Sequence, residues 1–137
     1  MIPTHCISST TDSVIKFQEL RSVARFHNPG RKIYTRVVVD GCAISSGAKC
    51  DYLLYREDGT AEYYIELKGS DVPHAIDQLR ATIMKLGGTP TQRMAIVACT
   101  KVAPHITTQI QKAKKEFRSR FNSLLLIKES PVDINLE

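Results

Sequence analysis

Met94-Ala95-Ile96-Val97-Ala98-Cys99 contains no strongly polar side chain, and it constrains the fold more than any other stretch. A run this short, bounded by Arg93 and Thr100, reads as a strand. A strand that is apolar on both faces has to be covered on both, so this one belongs at the centre of a sheet. With 137 residues the chain reads as a single domain, residues 1–137, long enough to bury such a core.

The flanking segments supply the cover. Ala75, Ile76, Leu79, Ile83 and Leu86 recur at helical spacing. Ser70 or Asp71 caps that helix, Pro73 suits its first turn, and Gly87-Gly88 ends it. A further helix follows Pro104, with Ile106, Ile110, Ala113, Phe117 and Phe121 inward. Residues 123–127 read as the last strand, and Ser130-Pro131 opens a short tail. On the N-terminal side, Thr10-Thr11-Asp12 offers an N-cap for Val14, Phe17, Leu20, Val23 or Ala24, and Phe26. Asn28-Pro29-Gly30 stops that helix, and residues 32–39, rich in β-branched side chains, form a first strand. The expected fold is α/β: a mixed sheet in the order αβββαβαβ, flanked by helices.

Between residues 50 and 68 the pattern is a hairpin around Glu57-Asp58-Gly59-Thr60. With Asp58-Gly59 as the loop, Tyr55 pairs with Glu62, Leu53 with Tyr64, and Asp51 with Glu66. Glu66 and Lys68 share one strand face, and Ile65 and Leu67 the other. Opposed carboxylates repel unless a cation lies between them. Mg²⁺, a hard ion held by carboxylates, water and phosphate, suits the pair. Lys68 would donate to a water or to a phosphate oxygen, so the hairpin reads as a metal-assisted hydrolysis site.

The net charge is +5 with a pI near 9.1, which suits a polyanionic partner and equally a merely soluble surface. Lys112, Lys114, Lys115, Arg118 and Arg120 concentrate that charge on one helix, either as a solvated face or as a track for phosphates. No run is long enough for a membrane span, and the N-terminal residues lack a signal-peptide layout, so the expected compartment is the cytoplasm. Cys6, Cys42, Cys50 and Cys99 lack metal-site spacing and are expected as reduced thiols.

The arrangement αβββαβ, with Asp51 heading the second strand and Glu66-Leu67-Lys68 on the third, resembles the PD-(D/E)XK nuclease superfamily. That superfamily includes restriction enzymes and Holliday junction resolvases. The residue before the aspartate is Cys50, where the family motif has proline. The resemblance implies a restriction-endonuclease-like fold, with Asp51 and Glu66 as metal ligands and the Leu67 carbonyl completing the site. It implies a catalytic role for Lys68 and for Gln78, which lies off the apolar stripe of its helix. Glu19 is the candidate for an additional metal-binding carboxylate on the first helix.

The cofactor so implied is Mg²⁺, with Mn²⁺ as substitute, and the partner is nucleic acid, DNA before RNA. The expected function is a metal-dependent nuclease, most simply a DNA endonuclease of weak sequence specificity, with a homodimer as one arrangement. Rival readings are an RNA-directed nuclease using the same site, a non-catalytic binding module, and a subunit active only with a partner. Ordinary structural roles also compete at single positions: Asp40 as a turn residue, Asp71 as a helix cap, and Glu19, His74 and Gln78 as surface residues.

Overall fold

The computed structural model describes residues 2–68, 70–101 and 107–136, with Lys68 described in its backbone alone. A short 3₁₀ turn, Thr4–Cys6, leads into β1 (Ile7–Thr10), β2 (Val14–Glu19), β3 (Ser22–His27) and β4 (Tyr34–Val38). Then follow β5 (Tyr52–Arg56), β6 (Ala61–Lys68), α1 (Val72–Leu86) and β7 (Gln92–Cys99). The chain ends with α2 (Thr107–Phe121), β8 (Leu124–Glu129) and β9 (Val132–Asn135).

Six strands form a mixed sheet in the order β1-β4-β5-β6-β7-β8, and β2-β3-β9 form a second sheet. Residues 95–99 of β7 are fully buried, as an apolar run requires. What covers them differs on the two faces. Ala95, Val97 and Cys99 join Leu53 and Tyr64 under Leu79, Ile83 and Phe117 of the helices. Ile96 and Ala98 join Leu54, Tyr63, Ile65 and Leu67 against Phe17, Phe26 and Ile134 of the small sheet. The result is three layers: helices, large sheet, small sheet. Each fully buried large aliphatic side chain contributes roughly 1.5–3 kcal/mol.

The small sheet corrects the expectation of an N-terminal helix. Ile15 and Phe17, then Ser22, Ala24 and Phe26, are buried, while Val14, Lys16 and Gln18 are exposed. That alternation has a period of two, the period of a strand. The helical reading needed Leu20 inside, yet Leu20 is 96% exposed and sits at φ 51 in the β2–β3 turn. The expected tail also forms a strand, because β9 pairs in parallel with β3. An Arg25–Asp133 ion pair at 2.9 Å crosses that pairing. The mixed α/β class stands, with helices, among the described residues, on one face of the large sheet only.

The remaining elements follow local chemistry. Asp71 caps α1 by accepting the His74 N–H at 3.1 Å, and Pro73 sits in the first turn. Gly87 closes the helix with its N–H on Ile83 O at 2.8 Å. A Cβ at Gly87 would lie 2.5 Å from that same oxygen, so the position admits only glycine without a shift. Of the residues expected at the start of α2, Pro104 and Ile106 lie outside the described residues, whereas Ala113, Phe117 and Phe121 are buried as expected. Cys6 and Cys42 form a disulfide, which corrects the expectation of four reduced thiols; Cys50 and Cys99 are free and buried.

Candidate functional site

The hairpin pairing predicted from Asp58-Gly59 is present: Tyr55↔Glu62, Leu53↔Tyr64 and Tyr52↔Ile65 are abreast. The turn itself is a four-residue connection, with Gly59 at φ 79 and Asp58 Oδ1 accepting from Thr60 N at 3.0 Å. At Asp51 the ladder changes. Tyr52 is the partner of Ile65, yet the Asp51 N–H also donates to Ile65 O, at 3.1 Å. Two residues thus oppose one, a β-bulge, which re-aims the side chain and ends the pairing. Asp51 is therefore not carried straight across from Glu66 by the ladder.

Asp51 is fastened from both sides. Its carbonyl accepts the Val39 and Asp40 N–H groups at 3.0 and 3.3 Å, so its main chain joins the end of β4. Its carboxylate Oδ2 accepts the Leu67 N–H at 2.8 Å. That bond holds the carboxylate against the residue between Glu66 and Lys68. Glu66 is 0% exposed, beside Val97 of β7. By strand alternation it shares the face of Tyr64, which lies under the helices. Leu67 points the other way, into the core beneath the small sheet. The Lys68 backbone ends β6 opposite Cys99; its side chain lies outside the described residues.

α1 reaches the same place. Gln78 Nε2 donates to Lys49 O at 3.0 Å. One turn on, Thr82 Oγ1 accepts the Cys50 N–H at 2.8 Å and donates to Gln78 O at 2.8 Å. The helix thereby fixes the two residues that lead into Asp51. Gln78 Oε1 is buried and, among the described residues, has no hydrogen-bond partner. Cys50 reports the electrostatics. Burial, then the charges of Glu66 and Asp51, push its thiol up to about 12.

Glu19 is corrected in its element and placed near the site. It lies at the end of β2, exposed, and accepts the Tyr52 hydroxyl at 2.7 Å. Burial, then Glu19, then Asp51 raise the Tyr52 phenol to about 12, so both carboxylates act on one ring. His74 is exposed at the start of α1, and Asp40, exposed and bridged to Ile44, lies 4.0 Å from Lys49 Nζ. Sequence reasoning missed Cys50, Thr82 and Tyr52. Thr82 was open to detection, because it lies four residues after Gln78 on the same helix face.

Asp51 and Glu66 lie near the C-terminal ends of the parallel strands β6 and β7, where sheets with helical crossovers commonly bind ligands, and Gln78 is bonded to the segment that leads into Asp51. The clefts lined by Arg93 and Asn122 lie at the opposite strand ends. The basic surface is on α2, where Lys112, Lys114, Lys115 and Arg118 are exposed. Arg120 is instead drawn to Glu116 at 3.3 Å, and Glu116 also takes a two-pronged contact from Arg80 at 2.9 and 2.7 Å. Arg36 is half-buried, with its guanidinium 4.3 Å from the centre of the Phe17 ring.

Comparison with protein-family models, with curated proteins and with solved structures finds no match to this chain.

Proposed function

We propose that this chain is a metal-dependent nuclease that hydrolyses phosphodiester bonds, DNA before RNA, on a core resembling that of the PD-(D/E)XK enzymes. The observation that carries the reading is Glu66, a completely buried carboxylate one residue from the amide that holds Asp51. Burying a carboxylate costs several kcal/mol, and buried acids concentrate at functional sites.

The donor chemistry fits a hard divalent cation. Asp51, Glu66 and the buried Gln78 Oε1 are all oxygen donors, the kind that Mg²⁺ prefers and Mn²⁺ accepts. The Leu67 carbonyl is the further candidate ligand, and Glu19 a more distant carboxylate. Bound there, Mg²⁺ would stabilise charge on a phosphate and lower the pKa of a water. The protein's own part is orientation: Leu67 N–H fixes Asp51, and Gln78 and Thr82 hold the strand that carries it. Lys68, next but one to Glu66, is assigned to the water or to the developing phosphate charge. The exposed lysines of α2 would supply affinity for a polyanion, with a homodimer as one arrangement.

No helix among the described residues is long and apolar enough to cross a membrane. A disulfide belongs with oxidising compartments. A cytoplasmic setting for this chain therefore goes with its thiol form.

Digestion of plasmid, linear, branched and single-stranded DNA and of RNA, in Mg²⁺, Mn²⁺ or EDTA, tests the proposal. Metal-dependent cleavage supports it, and the better substrate decides between DNA and RNA. The full burial of Glu66 also favours a second reading, a binding module that keeps the nuclease core without its chemistry. Its signature is nucleic-acid binding without cleavage in any metal, unchanged by Lys68→Ala. Cleavage restored only by a second protein would make the chain a partner-dependent subunit.

A further inference from the structure

The N-terminal turn carries a second group of metal-ligating side chains, remote in sequence from the hairpin. His5, Cys6 and Cys42 place their ligand atoms within 4.8 Å of one another, and no other His, Cys, Asp and Glu trio does so among the described residues. We propose that, with the Cys6–Cys42 bond reduced, these three side chains form a zinc-binding site.

The backbone assembles the group without help from the sulfurs. β1 runs antiparallel to β4, with Ile7 abreast of Val37, so the turn before β1 lies beside the end of β4. The chain after β4 then doubles back. Cys42 N donates to Val39 O at 3.1 Å, Ala43 N to Val38 O at 3.1 Å, and Ile44 N to Val39 O at 3.0 Å. Gly41, at φ 76, makes the reversal. Cys42 is thereby delivered over Cys6 by main-chain bonds that do not depend on the sulfur oxidation state.

The exposure of the three residues suits a metal. Cys6 is 3% exposed and Cys42 half-buried, so the sulfurs sit in a weakly hydrated place. His5 is exposed and opens the group to solvent. Zinc bonds thiolate at about 2.3 Å and imidazole at about 2.0–2.1 Å, so ligand atoms on one tetrahedral ion stand roughly 3.5 Å apart. The sulfurs need to separate from bonding distance, and the histidine, already within 4.8 Å, needs to move inward by about an ångström at most.

The chemistry balances. A dithiol reductant supplies two electrons and two protons, the S–S bond breaks, and two thiols form while the reductant becomes its own disulfide. Zinc binding then releases both thiol protons, because thiolate is the ligand. One nitrogen and two sulfurs leave a fourth position for water. The disulfide and the zinc exclude each other, and either one ties the N-terminal turn to the loop that ends at Asp51.

The test is cobalt and zinc titration of the full chain, oxidised and after reduction and removal of the reductant under argon. The reduced chain is expected to show thiolate-to-metal charge-transfer absorption with Co²⁺, displaced by Zn²⁺, and the oxidised chain should show no such absorption, whatever Co²⁺ its carboxylates take up. Cys42→Ser should abolish the absorption. His5→Ala keeps both cysteines and should weaken zinc by about 10-fold or more, in line with losing one of three ligands. Circular dichroism checks that each variant is folded. Absence of charge transfer in the reduced chain overturns the proposal. So does the same absorption in the oxidised chain, or zinc affinity undiminished in His5→Ala, which would remove the histidine from the ligand set. None of these readouts involves cleavage, so they stand apart from the nuclease reading.

Discussion

Arg93 is the residue whose removal should do most damage outside the candidate site. Its side chain is 8% exposed and that of its partner Glu62 is 13% exposed. Arg93 Nε donates to Glu62 Oε1 at 3.0 Å, NH2 to Gly88 O at 2.8 Å, and NH1 to Phe121 O. Glu62 also accepts the Tyr64 hydroxyl at 2.9 Å and the Gly88 N–H at 3.0 Å. One guanidinium thus joins the start of β7, the loop after α1 and the end of α2. Arg93→Met leaves Glu62 buried without its cation, which costs about 3–5 kcal/mol in comparable sites. For a chain of this size each kcal/mol moves the melting temperature by roughly 3–5 °C, so a fall of roughly 9–25 °C is expected. Thermal unfolding followed by circular dichroism measures it, repeated at high salt because a buried pair is poorly screened. The double variant Arg93→Met/Glu62→Leu should recover much of the loss. A fall under about 3 °C, or a double variant as unstable as the sum of the singles, would refute this account of the network.

The native oxidised chain should show no rapidly reacting thiol towards a disulfide reagent near neutral pH, and two after denaturation, since Cys50 and Cys99 are buried. The Cys50 thiol, raised to about 12 in the folded chain, keeps its proton after the unfolded chain has lost it. Its contribution to stability is therefore intact below about pH 9 and lost between there and about pH 12, a slope that Cys50→Ala should lack in urea titrations. Gly87→Ala, whose Cβ meets Ile83 O, should lower stability by about 1–3 kcal/mol in the same assay. Nucleic-acid affinity should fall steeply with salt, and replacing Lys112 or Lys115 by Ala should flatten the log–log slope by about 0.9 each if each meets a phosphate.

Much of the large sheet was legible because its signals are local. The Asp58-Gly59 turn set the β5–β6 register, the Asp71 cap and Gly87 stop bounded α1, and the apolar run of β7 required cover on both faces. What covered the second face was not legible. Val14, Phe17, Leu20 and Phe26 satisfy a helical period, but Ile15, Phe17, Ala24 and Phe26 satisfy a strand period as well. Only burial against Tyr63 and Ile65 decides between them. The candidate site divides in the same way. Asp51 and Glu66 lie at one end of the sheet, with Gln78 bonded to the segment before Asp51, yet the bulge at Asp51 depends on β4, whose end claims the Asp51 carbonyl. Periodicity carries no trace of such a contact. The Cys6–Cys42 bond likewise depends on the β1–β4 pairing, and β1 is too short to announce itself.

The most direct test of the central claim is cleavage by the wild type beside Asp51→Asn and Glu66→Gln, each shown to be folded, on the substrate that the digestion panel selects. The account predicts cleavage in Mg²⁺, none in EDTA, and a loss of about 100-fold or more in each variant. Cleavage that survives undiminished in both variants, or no cleavage of any substrate in any divalent metal, would contradict it.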